Sequence, residues 1–96
     1  MYKFKLYVNG NSKRTKKQCK ELNAHLKQEL NKDYSLKVID VLEHPQEANG
    51  ACILATPTIV RTSPEPIRKV FGNLNIKEGL MEGLGLHKKI VKDTVE

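Results

Sequence analysis

The residues able to do chemistry are two cysteines, Cys19 and Cys52, three histidines, His25, His44 and His87, and the carboxylates Asp40 and Glu43 at the end of an apolar run. A dithiol or zinc site needs paired ligands such as C-x-x-C or H-x-x-x-H. The two thiols lie far apart in sequence, and no two histidines stand at that spacing. Both cysteines therefore read as reduced, buried packing residues, and each histidine as a surface or packing residue. Asp40 and Glu43 have the closeness of an acid/base pair, but no nucleophile stands beside them, and carboxylates at a strand end ordinarily meet solvent or cap a helix. No metal, cofactor or catalytic centre is expected.

The second chemical feature is basic. Gly10 opens a loop between a strand and a helix, and Lys13, Arg14, Lys16, Lys17 and Lys20 follow it. Free amides in such a loop can cradle an anion, although the P-loop pattern is absent. A solvated helix face, a protein-docking surface and a nucleic-acid site all stay open for this cluster. The formal charge of +6 favours nucleic acid, anionic membrane or an acidic protein surface without choosing among them. Tyr2, Phe4, Tyr7, Tyr34 and Phe71 are not interleaved with the cluster, so stacked bases would find no platform there and a nucleic-acid module is the weaker alternative.

These residues must be held by a small frame. Ninety-six residues, 39% of them hydrophobic and none tryptophan, allow one compact domain over 1–96 with a modest core, and self-association would add to its stability. No apolar run reaches the roughly 18 residues of a bilayer span, and Met1 to Lys5 lacks the character of a signal peptide, so a cytoplasmic protein is expected.

Phe4, Leu6 and Val8 alternate with Lys3, Lys5 and Tyr7, the period of a half-buried strand with the first set inward. Asn11 or Ser12 can cap a helix whose stripe runs Thr15, Cys19, Leu22, Leu26 and Leu30, ending near Asn31-Lys32. Ser35 to Leu42 is apolar on both faces, as expected of a central strand joined to the first by a right-handed crossover. His44 to Ala48 suits a short helix with Pro45 at its first position, stopped by Asn49-Gly50. Cys52 to Ala55 is compatible with helix or strand. Thr58 to Thr62 is β-branched and reads as a strand, Pro64 and Pro66 bracket a turn, and Ile67 to Phe71 pairs back antiparallel. A last helix is marked by Ile76, Leu80, Leu84, His87, Val91 and Val95, but Gly79, Gly83 and Gly85 weaken it by about 0.8 to 1 kcal/mol each. An extended conformation competes there.

This order resembles that of a thioredoxin-like domain, with Pro57 where such domains carry a cis-proline before the third strand. The start of the first helix, Gly10 to Thr15, has no cysteine, which removes dithiol redox catalysis. The chain resembles more specifically the KaiB family of bacterial clock systems. The match runs through Lys5-Leu6-Tyr7-Val8, Gly10-Asn11, the block from Leu36 to Leu42, Pro45-Gln46, the block from Ile53 to Thr58, then Pro64, Pro66, Arg68, Gly72 and Leu74, about residues 3 to 86 in all.

That resemblance implies a non-enzymatic regulator that docks on the hexameric ring ATPase KaiC, in circadian rhythm or stress adaptation, with a sensor kinase or another clock-type protein as a further partner. It implies two arrangements of one chain, an oligomeric ground form (dimer or tetramer) and a thioredoxin-like form competent to bind, with the half after the second strand rearranging. By the same resemblance Lys17, Lys37, Arg61, Arg68 and Lys69 are docking residues, and Pro57, Pro64, Pro66 and Gly83 belong to the rearranging part. Typical members have an acidic pair and a lysine where this chain has Gly50, Ala51 and Cys52, and Lys13 and Lys16 replace a proline and an apolar residue. A divergent member that does not bind KaiC is the alternative those departures leave open.

Overall fold

The computed structural model describes residues 1–53, 55–72 and 77–86. Its elements run β1 (Tyr2–Val8), α1 (Lys13–Leu30), β2 (Tyr34–Asp40), α2 (Pro45–Gly50), β3 (Thr58–Ser63), β4 (Arg68–Phe71) and α3 (Lys77–Gly83). The four strands form one sheet in the order β2-β1-β3-β4, with β1 parallel to β2 and antiparallel to β3, and β4 antiparallel to β3. No helix among the described residues is long and apolar enough to cross a membrane.

The local signals for α1 act as expected. Ser12 is extended at the N-cap and its hydroxyl oxygen accepts from the Thr15 amide at 3.2 Å, meeting one of the free donors of the first turn. Leu22 and Leu26 are buried, with Cys19 and Leu30 half-buried beside them. They join Phe4, Leu6 and Val8 of β1, Ile59 of β3, Leu80 and Met81 of α3 and Leu84 just after it in the main core. Helices α1 and α3 thus cover one face of the sheet.

The other face holds a second, smaller cluster of Tyr7, Ile39, Ala48 and Val60 beneath α2. Tyr7 was expected on the polar face of its strand but is 3% exposed. Alternation shows which residues share a face. It does not show that a six-residue helix downstream will close over the second face.

Strand β2 differs from expectation in a related way. Its apolar residues on both sides suggested the centre of the sheet, yet it is an edge strand, with Ile39 buried, Leu36 half-buried and Val38 47% exposed. Cover on both faces comes from helices above and below and is independent of having a strand on either side, so the apolar run misreported lateral position.

The Cys52 to Ala55 stretch is neither helix nor strand in its described part. The Ala51 amide donates to Glu47 O at 3.0 Å and the Cys52 amide to Asn49 O at 3.1 Å, and Cys52 takes φ 58° as the chain turns out of α2. Its side chain is exposed, against the expectation of a buried thiol. The Thr56-Pro57 bond is cis, as the order of elements implied, and so are Ser63-Pro64 and Glu65-Pro66. In and just after α3, Met81 and Leu86 join Leu80 and Leu84 in the core, a wider stripe than the spacing suggested. The Leu54, Ile76, His87, Val91 and Val95 expectations lie outside the described residues.

Candidate functional site

The loop after β1 is the first place where a ligand was conceivable. The Gly10 amide, which an anion would need, donates to Asp40 Oδ1 at 3.0 Å, and the Leu42 amide donates to the same oxygen at 2.9 Å. A carboxylate already fills the anion's role, so the loop is tied shut. Asp40 is thereby a structural acceptor through one carboxylate oxygen. No group of three or more metal-ligating side chains occurs among the described residues.

The five expected docking cations do not form one patch. Lys17 is exposed on α1, and Lys37 is exposed on β2 opposite Lys5 of β1. Arg68 and Lys69 are exposed on β4, at the other edge of the sheet, about 14 Å away on a strand spacing of about 4.8 Å. Lys37 and Lys69 share the face that α2 covers, and Lys69 donates from Nζ to Ala51 O at 2.8 Å. Arg68 lies on the α3 side, its Nε 3.2 Å from where a Cβ on Gly85 would be.

Arg61 departs from the surface role expected of it, because it is 5% exposed. It sits two residues from Ile59 and opposite Phe4, so strand periodicity turns it toward the main core. Its Nη1 donates to Leu84 O at 3.0 Å and its Nη2 to Pro66 O at 2.8 Å, while Nε has no partner. Arg68 is its cross-strand neighbour in the β3–β4 register.

The residues expected to rearrange frame the C-terminal half. Pro57 precedes β3, and its carbonyl accepts from the Gly72 amide at 3.2 Å just after β4. Pro64 and Pro66 stand in the β3–β4 turn. Gly83 closes α3 against β4, and a Cβ there would lie 2.6 Å from Val70 Cγ2, so Val70 would have to give way to any larger residue.

A feature that sequence reasoning missed is a groove of about 920 Å³ between α1 and the β2 edge, lined by Lys16, Lys20, Lys27 and Lys32 together with Leu36 and Val38. The available signal was the spacing of Lys16, Lys20 and Lys27 on one helix face, which a reading centred on the N-terminal cluster did not extend.

The KaiB domain family matches residues 5–86, and the circadian clock oscillator protein KaiB of Cyanothece sp. is 47% identical over 85 residues, covering 88% of this chain and 81% of that one. The chain belongs to the KaiB family. Solved structures agree on the fold. The N-terminal domain of Synechococcus elongatus SasA superposes with a TM-score of 0.64 at 18% identity, covering 99% of this chain and 89% of that one. Mitochondrial thioredoxin 3 of Saccharomyces cerevisiae gives 0.61 at 21% identity, covering 88% and 76%. This KaiB-family chain is thus in a thioredoxin-like arrangement, with the sheet order β2-β1-β3-β4, a cis Thr56-Pro57 bond before β3, and Ser12 and Lys13 at the start of α1.

Proposed function

We propose that this chain is a non-enzymatic regulatory adaptor, a single KaiB-like domain over residues 1–96, that docks in the cytoplasm on a KaiC-like hexameric ATPase ring in circadian rhythm or stress adaptation. The observation that carries this reading is a KaiB-family sequence on a thioredoxin-like frame whose first helix begins without a thiolate, the group that redox chemistry on that frame requires. Exposed Lys17, Lys37, Arg68 and Lys69 supply attraction to an acidic ring surface, which speeds encounter and selects the partner. Arg61 contributes from beneath by holding the elements that carry Arg68 and Lys69.

In this reading the thioredoxin-like arrangement is the binding form, and a homo-oligomer (dimer or tetramer) stores the chain in the other. Pro57, Pro64, Pro66 and Gly83 border the part that rearranges. Apparent affinity then falls with the fraction of chains in the binding form, which makes the docking slow and adjustable. A sensor kinase or another clock-type protein competes for the same adaptor.

The test is size-exclusion chromatography after overnight mixing with a KaiC-type ATPase and ATP at micromolar concentrations. Co-elution is expected, and it should be lost when Lys17→Glu and Arg68→Glu are combined. Separate elution of the unaltered proteins would overturn the reading.

A further inference from the structure

The groove between α1 and the β2 edge has the volume of a small-molecule site, which ordinarily spans roughly 300 to 1,000 Å³. Its two walls differ in chemistry, and the first is basic. Lys16, Lys20 and Lys27 stand within about 40° of arc on α1 and spread over about 16 Å of its length, and Lys32 follows past the C-terminal end. Among the described residues none of these four ammonium groups is held in an ion pair. Asp40 and Glu43 bring the negative charge of the lining, and one Asp40 oxygen is already taken by the Gly10 and Leu42 amides. Four cations against two carboxylates make the groove attractive to an anion of several charges.

The second wall is apolar. Leu36 and Val38 pair with Phe4 and Leu6 and so turn to the α1 side of the sheet. Since β2 is an edge strand, Val38 has a neighbouring strand on one side only and stays 47% exposed. Tyr34 stands beside them with its ring fixed from two directions. Its hydroxyl donates to the carbonyl and side-chain oxygens of Asn23 on α1, and Phe4 meets the ring edge-on at a centroid distance of 6.4 Å. A ring held in place beforehand costs little to order when a ligand packs on it.

We propose that this groove binds a nucleoside polyphosphate, with the phosphate chain along Lys20, Lys27 and Lys32 and the base against Tyr34, Leu36 and Val38. A bare polyanion would use one wall and a neutral ring the other. A nucleotide uses both. Lysine suits a flexible phosphate chain, because its ammonium is a point charge on a mobile stem and demands no fixed bidentate geometry. None of the five expected docking residues lines the groove, so the site stands apart from docking on an ATPase ring.

Titration of the isolated protein with ATP, tripolyphosphate or adenosine at constant ionic strength tests it, followed by amide chemical shifts in NMR. Saturable shifts at residues lining the groove are expected with ATP, with affinity about fivefold or more above that of tripolyphosphate because the base adds apolar contact. Combining Lys20→Gln with Lys27→Gln should weaken ATP binding about tenfold or more. Combining Lys3→Gln with Lys5→Gln removes the same charge from the opposite face of the sheet and should change it less than about twofold. No saturable shift in the groove at millimolar ATP, tripolyphosphate binding as tightly as ATP, or equal weakening by the two lysine pairs would overturn the proposal.

Discussion

Cys19 and Cys52 are both free thiols, yet their surroundings separate them. Cys19 sits half-buried on the inner side of α1, where burial pushes its thiol pKa up. Cys52 is exposed on the turn after α2. Since the thiolate is the reactive form and a raised pKa leaves less of it, iodoacetamide near neutral pH should label Cys52 well before Cys19. Peptide mass spectrometry over time reads the order, and equal labelling would contradict these environments. Burial likewise raises the phenol pKa of Tyr7, with the Glu47 carboxylate adding to the shift. What was legible in the chain at this level was chemistry by omission, the lack of paired ligands. Arg61 was expected at a docking surface because it matches a basic position of the family, and the fold buries it, in keeping with its place two residues from Ile59 on the inward face.

Elements are joined here by a few side-chain bonds, and Asp40 makes one of the main joints. At the end of β2 it binds the Gly10 amide after β1 and the Leu42 amide ahead of α2, so the two parallel strands finish in a fixed relation. Asp40→Ala should cost about 1 to 3 kcal/mol in urea unfolding, because it leaves the part-buried Gly10 amide without an acceptor, and Asp40→Asn should cost less because an oxygen remains. A loss no larger for Ala than for Asn would mean that solvent serves these amides equally well. Helix α1, the βαβ unit and the β3–β4 hairpin were readable from capping, period and turn residues, all of which act over a few neighbours. The Asp40 joint was not, since the two amides it meets are brought to it by strand pairing and by the turn that follows.

Across the molecule the sheet is a septum between two unequal cores, a larger one under α1 and α3 and a smaller one under α2. Ile39 belongs to the smaller and is 1% exposed, so Ile39→Ala should destabilise by about 2 to 5 kcal/mol. The same change at Leu42, 68% exposed, should stay within about 0.5 kcal/mol. Thermal or urea unfolding compares them, and similar small effects at both would mean that the second face is surface. The order of elements, the family and the absence of a thiol at the head of α1 follow from residue types and their spacing, because those signals are local and need no knowledge of what folds against what. Strand order, the closing of α2 over Tyr7, the exposure of Cys52 and the burial of Arg61 depend on contacts between segments distant along the chain. Such contacts are chosen by the free energy of the whole packed arrangement, and no window of neighbouring residues contains it.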